Sequence, residues 1–399
     1  MKIYTKSGMT STFFKKDAYH TIDKLTEFEP SSIFWHDQHD HVISELPFSQ
    51  AFPKKALDHL RKDPTSKILL YYGDEYYNLN DLTSWAESIK KEKIPANQVY
   101  IICLDENWKK WTLRHCSKLG VDGINVQSFN TLMMRVDIQD PKTVTQKFSA
   151  FSRNYVKFRL EFFINLVNRD VLKHFDYTFN NIMPYGKIIK YNRSKMTEHV
   201  KELGYSVDKK LKGWIKNVPY TLKDDGILNK MALSIYDKIS SSAINVVIES
   251  HFNPFWNFKG DNTTSDFREF SPAFPTEKVY KAIGCNRPFI VVSTPEFLKE
   301  IRQLGYKTFH PYIDETYDTI ENDKERMQAI INEIDRLSNL STDEFNTIIN
   351  ECEKIAKYNT TILDKAQKNS VLTENFKWLE PIIDTGIHNS WHSKIYKEK

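Results

Sequence analysis

The chain has 399 residues, more than one hydrophobic core usually serves, so two domains of roughly 150 to 200 residues each are expected. Hydrophobic residues make up 40% and charged residues 27%, with 25 Phe, 20 Tyr and 8 Trp, a composition that excludes a largely disordered chain. The net charge of +4, from 56 Lys and Arg against 52 Asp and Glu, permits a polyanionic partner without requiring one.

The opening MKIYTKSGMTSTFFKK has no apolar stretch of the signal-peptide kind, and no run of about 18 apolar residues follows. Neither secretion nor membrane insertion is expected, and the chain reads as a cytoplasmic monomer. Cys103, Cys116, Cys285 and Cys352 lie far apart with no C-x-x-C spacing, which suggests reduced thiols rather than a disulfide framework or a zinc site. The run Trp35-His36-Asp37-Gln38-His39-Asp40-His41 crowds imidazoles and carboxylates that suit zinc or manganese. Alternating spacing without a helix is more commonly a solvated loop, and no metal is expected.

Two apolar runs, Lys67 to Gly73 and Gln98 to Leu104, read as buried strands, each ending in an acidic pair, Asp74-Glu75 and Asp105-Glu106. Asn80 to Lys93 and Asn107 to Leu119 carry apolar positions at helical spacing, Gly120 closes the second helix, and Gly123 to Ser128 reads as a third strand. This β-α-β-α-β run implies a parallel, doubly wound sheet. The polar stretch around Pro141 reads as a connection. The domains expected are 1–145, 146–375, and a tail 376–399 that packs back on the first.

In the second domain a long helix is expected over Tyr155 to Leu172, with strands at Lys187 to Tyr191, Ala243 to Glu249 and Pro288 to Ser293. Helices are expected at Ser194 to Leu203, Glu277 to Gly284, Pro295 to Leu304 and Asp323 to Asn339. A capping box, Ser341-Thr342-Asp343-Glu344, opens a last helix toward Lys368, making the C-terminal region helical. Two α/β domains would put the carboxyl ends of both sheets on either side of a cleft, which suits two substrates.

The irregular stretch 264–274 leads through Pro275 to Thr276, a candidate N-cap. A helix start favours phosphate, Lys278 and Lys281 add cations, and Glu277 would suit a ribose diol. The same residues also describe an ordinary capped surface helix. Asp314, Glu315 and Asp318 form an acidic loop that either positions basic side chains or caps the next helix. Basic and aromatic residues interleave over Trp108 to His115 and over Lys209 to Lys216. Such stretches track nucleic acid in some proteins, but an amphipathic helix with Trp inward and Lys outward is the commoner use.

From Thr276 to Asp318 the pattern is a T-E-K helix, a P-F-I strand, a small-residue turn, the run Leu304-Gly305-Tyr306-Lys307-Thr308-Phe309, and the close Asp314-Glu315-Thr316-Tyr317-Asp318. It resembles a family of uncharacterised glycosyltransferase-type proteins of tailed bacteriophages and large viruses. More distantly it is similar to the donor-binding end of fucosyltransferases. That family tends to open its second domain with N-R and a nearby Arg. Here Phe151-Ser152-Arg153-Asn154 with Arg159 stands in that place, Ser152 departing from the pattern, and Glu249 corresponds to the family's Glu after the next strand.

The resemblance implies a GT-B-like pair of Rossmann-like domains facing a cleft. It implies a donor site of Arg153, Arg159, Glu249, Thr276, Glu277, Lys278 and Lys281 for a nucleoside diphosphate sugar, UDP-sugar favoured. Arginine pairs bidentately with phosphate, which replaces an obligatory metal. Without the resemblance, Arg153 and Arg159 read equally as one face of a surface helix. Transfer to a hydroxyl needs a general base from the other domain, for which Glu75 and Asp37 rank first. The acceptor expected is a hydroxymethylated base in bacteriophage duplex DNA, with a glycan or protein acceptor, or a non-catalytic nucleotide-binding protein, as alternatives.

Overall fold

The protein, seen in a computed structural model, is described over residues 3–5, 19–21, 28–37, 52–71, 79–103, 106–128, 133, 136–182, 193–218, 220, 235–250, 252, 275–368 and 376–377. Asp74, Glu75, Asp105, residues 38–41, the stretch 264–274 and the strand expected over Lys187 to Tyr191 lie outside the described residues. Two compact units are formed: the described residues up to Arg135 together with Phe376 and Lys377 make one, and those from Val136 to Lys368 make the other.

In the first unit, strands β1 (Ile3–Thr5), β2 (Tyr19–Thr21), β3 (Ile33–Asp37), β4 (Lys67–Tyr71), β5 (Val99–Cys103) and β6 (Asn125–Ser128) form one parallel sheet in the order β2-β1-β3-β4-β5-β6. Ile68, Leu69 and Leu70 of β4 are fully buried in succession, as expected when helices cover both faces of a parallel sheet. Those helices are α1 (Lys54–Lys62), α2 (Leu79–Lys91) and α3 (Glu106–Lys118). The buried set Leu82, Trp85, Ala86 and Ile89 repeats at the three- and four-residue spacing of one helix face. Trp111 of α3 turns inward with Trp108 edge-on to it at 4.7 Å, while Lys110 stays exposed. Gly120, at φ +73°, ends that helix in the left-handed region. Past the last helix, Phe376 is buried with its ring 5.3 Å from Tyr100 of β5.

The turn into β4 is tied by Asp63, whose carboxylate accepts from the Ser31 and Thr65 amides and from the Thr65 and Ser66 hydroxyls, the last two at 2.6 Å. Burial alone would raise this carboxyl, but the hydrogen bonds outweigh it and hold it well below the usual carboxylate range.

The second unit holds β7 (Gln146–Asn154), α4 (Lys157–Asn168), β8 (Phe175–Ile182), α5 (Arg193–Glu202), α6 (Lys209–Lys216), β9 (Ser242–Ile248), α7 (Glu277–Gly284), β10 (Phe289–Val292), α8 (Phe297–Gln303), α9 (Asp323–Asn339) and α10 (Thr342–Lys368). Its sheet is parallel, in the order β10-β9-β7-β8. Every residue of β9 is buried. The helix expected to run to Leu172 stops at Asn168, because Asp170 takes φ +62° and Val171 turns into a short 3-10 segment, Leu172–His174. Strand β8, absent from the expected elements, follows at once. Phe175 and Phe179 pack inward along its length, and Phe148 of β7 stacks on Phe175 at 4.9 Å. The capping box forms as expected: Ser341 Oγ accepts from the Glu344 amide, and Glu344 accepts from the Ser341 amide.

The connecting stretch lies on this second unit. Gln139 N donates to Gly284 O, Lys142 N to Ser240 O and Thr145 N to Ser241 O, all within 2.9 Å. Arg287, 2% exposed, clamps the amino edge of β9: Nε and Nη2 donate to Ser240 O, Nη2 also to Lys142 O, and Nη1 to Glu353 of α10 at 2.7 Å. Among the described residues no helix is long and apolar enough to cross a membrane. The four cysteines are buried and unbridged, and burial pushes the thiols of Cys116, Cys285 and Cys352 up to about 12.

Two outcomes follow from this packing. A Cβ at Gly284 would lie 2.6 Å from Asp137 O and 2.8 Å from Val136 Cγ1, so Gly284→Ala should cost about 1–3 kcal/mol in denaturant melts; an unchanged midpoint would contradict this packing. Because the Asp63 carboxyl is depressed, the unfolded chain binds the proton more readily and stability rises with pH. Asp63→Asn should therefore lower the melting temperature above the ordinary carboxylate value of 3.8, with the difference from wild type shrinking as the pH falls below it.

Candidate functional site

Both sheets place their first strand beside their third. In the first unit β1 lies between β2 and β3, and in the second β7 lies between β8 and β9. In open α/β sheets this is the switch point, and ligands bind outside the carboxyl ends of the strands there. The carboxyl end of β7 carries Arg153, beside a shift of register between Ser152 and Asn154. The carboxyl end of β9 leads directly into Glu249. In the first unit β3 ends on Asp37.

Glu249 is 1% exposed, and a carboxylate at that depth has to be met by donors. Its Oε1 accepts from the Thr276 amide at 3.3 Å and its Oε2 from the Thr276 hydroxyl at 2.6 Å. A hydroxyl offers one donor and two acceptor lone pairs, and Thr276 uses all three. It donates to Glu249 and accepts from the Lys278 amide, as N-cap of α7, at 3.3 Å and from Lys278 Nζ at 3.0 Å. Lys278 Nζ also donates to Ser250 Oγ at 3.0 Å and stands 3.8 Å from Glu249 Oε2. Glu277 sits in the first turn of the helix, 3.7 Å from Lys278 and 4.0 Å from Lys281, with all three side chains half-buried.

Arg159, on the first turns of α4, is 5% exposed, and its Nη2 donates to Glu249 O at 3.0 Å. It and Arg153 do not share a helix face: one stands on α4 and the other on β7. The structure thus gathers Arg159, Glu249, Thr276, Glu277, Lys278 and Lys281 at one carboxyl edge. The arrangement has a buried layer, Glu249 with Arg159 and Thr276, beneath an accessible layer, Glu277, Lys278 and Lys281. Chemically, the accessible layer offers ammonium groups and the positive end of a helix to an anion, and one carboxylate to a hydroxyl donor. Ser250 enters as a partner of Lys278, a role its adjacency to Glu249 alone signals.

The acidic loop works elsewhere and structurally. Asp318 accepts from the Leu298 and Lys299 amides at 2.8 and 3.1 Å, so it caps α8, which precedes it, instead of a helix following it. Glu315 accepts from the Phe309 amide and from Arg302. Burial pushes both carboxyls up from the usual range. On α6, Leu211, Trp214 and Ile215 are buried while Lys209, Lys210, Lys212 and Lys216 are exposed, the amphipathic arrangement. Among the described residues no group of three or more His, Cys, Asp and Glu side chains stands together as a metal site.

No known protein-family description matches the chain, and no curated protein matches it in sequence. Solved structures similar to it include the pneumococcal O-GlcNAc transferase GtfA in complex with UDP and GlcNAc, at 12% identity and TM-score 0.42, covering 86% of this chain and 57% of that one. An alpha,alpha-trehalose-phosphate synthase (UDP-forming) from Burkholderia vietnamiensis is similar at 10% identity and TM-score 0.42, covering 86% and 75%. The DNA modifying enzyme beta-glucosyltransferase, solved with and without uridine diphosphoglucose, is similar at 12% identity and TM-score 0.38, covering 88% and 82%. The chain thus spans little more than half the length of the first of these. Likeness this distant carries no argument about chemistry, and the α/β architecture rests on the chain's own two parallel sheets.

Thr276→Val keeps the shape of the side chain and strips Glu249 of its shortest hydrogen bond. It should destabilise the protein by about 1–3 kcal/mol, whereas Thr276→Ser, which keeps the hydroxyl, should recover most of that in equilibrium denaturation; equal losses in the two variants would show that the hydroxyl is not what holds the site.

Proposed function

We propose that the protein is a metal-independent glycosyltransferase of the GT-B type that takes a nucleoside diphosphate sugar, UDP-sugar favoured, as donor. The observation that carries this reading is the layered junction at the switch point of the second sheet. There a buried Glu249 and Arg159 hold the capped start of α7, and Glu277, Lys278 and Lys281 are left accessible around it. In this reading Arg153, Lys278 and Lys281 meet the diphosphate. Glu277 accepts from the ribose hydroxyls, and Arg159, Glu249 and Thr276 keep these groups in place. The sequence pattern from Thr276 to Asp318 supports the same assignment.

The transfer breaks the bond between the sugar's anomeric carbon and the diphosphate oxygen and forms a bond from that carbon to the acceptor oxygen. The acceptor's proton passes to a carboxylate, Glu75 or Asp37, and the cations beside the diphosphate offset the charge that grows on the leaving group. Asp37 ends β3 at the switch point of the first sheet, which is a suitable place for a base. The acceptor favoured is a hydroxymethylated base in duplex DNA, and the enzyme is expected to act as a monomer in the cytoplasm.

A thermal-shift screen of UDP, GDP, CDP and their sugars tests the donor. Glu277→Ala should abolish the shift, and Glu75→Ala should keep the shift while removing nucleotide release; equal loss of binding in the two variants would contradict the division of roles. Stabilisation by a nucleotide sugar that is never consumed would mark a binding protein instead. Absence of a gel shift with hydroxymethylated duplex at low salt would leave a glycan or protein as acceptor.

A further inference from the structure

Arg287 has a counterpart at the opposite edge of the second sheet. Arg326 of α9 is 1% exposed, and each of its five donors is used. Nε donates to Ser293 O at 3.0 Å, Nη1 to Ile320 O and Glu321 O at 2.8 and 3.0 Å, and Nη2 to Phe252 O and to Asp323 Oδ1. Ser293 follows β10 and Phe252 follows β9 closely, so this one guanidinium gathers the carboxyl ends of two neighbouring strands. Its Cζ also stands over the Phe252 ring, 4.3 Å from the centroid. Phe252 in turn stacks on Phe158 at 5.4 Å and 14°, and Arg159 Cζ stands 5.5 Å from the Phe158 centroid. The result is a column of cation, ring, ring and cation, each contact of a kind that attracts. Its far end is the arginine that donates to Glu249 O.

We propose that Arg326 is a positioning residue for the junction at Glu249 and Thr276, acting through Phe252, Phe158 and Arg159. That the positioned groups serve a nucleotide rests on the reading above; the positioning itself does not. Lysine cannot substitute, because an ammonium has three donors at one point and no planar fork. Arg287 supplies the control. It is comparably buried and bonded, but it holds the amino edge of β9, away from Glu249.

The test uses the full chain without ligand. Amide exchange is followed at Thr276 and Lys278, whose N–H groups are bonded to Glu249 and to the Thr276 hydroxyl. Arg326→Lys should speed exchange at these amides by about tenfold, while Arg287→Lys lowers the melting temperature comparably and leaves them within about twofold of wild type. Phe252→Leu should act like Arg326→Lys and Phe252→Tyr like wild type, which keeps the test open should Arg326→Lys fail to fold. Titration with UDP adds a second readout: the Kd should rise about tenfold in Arg326→Lys and stay put in Arg287→Lys. Wild-type protein that does not bind UDP would count against the donor reading and leave the exchange result to decide the positioning. Identical exchange profiles for the two arginine variants, or unchanged Thr276 and Lys278 amides in both Arg326→Lys and Phe252→Leu, would overturn the proposal.

Discussion

A carboxylate at the end of a wholly buried strand has to be met by donors, and much of the second unit is arranged around meeting Glu249. Burying such a charge unpaired costs far more than the few kcal/mol by which a domain is stable. Thr276 meets it with both its amide and its hydroxyl, and this fixes where α7 begins and which way its axis points. Lys278 follows because the same hydroxyl has acceptor sites left for its amide and ammonium. Arg159 completes the set from α4 by donating to the backbone oxygen of the same residue. One buried residue therefore ties a strand end to a helix start through its carboxylate and to α4 through its backbone oxygen.

The sheet around it needs to be held at both ends, and two buried arginines do this by bonding carbonyl oxygens. Carbonyls at strand ends have lost their ladder partners, and a guanidinium can serve several at once with its planar fork. Arg287 gathers Ser240 and Lys142 at the amino edge, where the connecting stretch joins the unit. Arg326 gathers Phe252 and Ser293 at the carboxyl edge, where the accessible charges lie. The two are alike in burial and differ in what their loss should disturb, which separates holding the fold from holding the site.

Both units use the same strand arrangement with different closing chemistry. The first sheet relies on short apolar strands under helices, with polar ties such as the Asp63 cluster at the turn into β4 and Thr83 Oγ1 against His115 Nε2 between α2 and α3. The second carries its polar ties inside, because its central helix α4 is apolar on nearly every side, with Leu160, Phe162, Phe163, Ile164, Leu166 and Val167 all buried. A helix of that kind leaves little polar surface, so its buried Arg159 is directed to the strand end and not to solvent.

The sequence alone determined the features that depend on near neighbours. The strands at Lys67 and Val99, the helices between and after them, the helix from Asp323 to Asn339 and the capping box at Ser341 are written in spacing and cap residues within a turn or two. So was the start of α7, where Thr276 precedes an apolar stripe. Tertiary structure decided what depends on residues far apart in the chain. Strands as short as Ile3–Thr5 are defined by their neighbours, and β8 alternates too weakly between Asp176 and Asn180 to separate itself from the helix before it. Arg153 and Arg159 look alike in sequence, yet one lies at the carboxyl end of β7 and the other donates from α4 to the carbonyl after β9. Nothing local marks Phe158, Phe252 and Arg326 as partners, since pairing a buried charge depends on which distant groups the folded chain brings within a few ångströms.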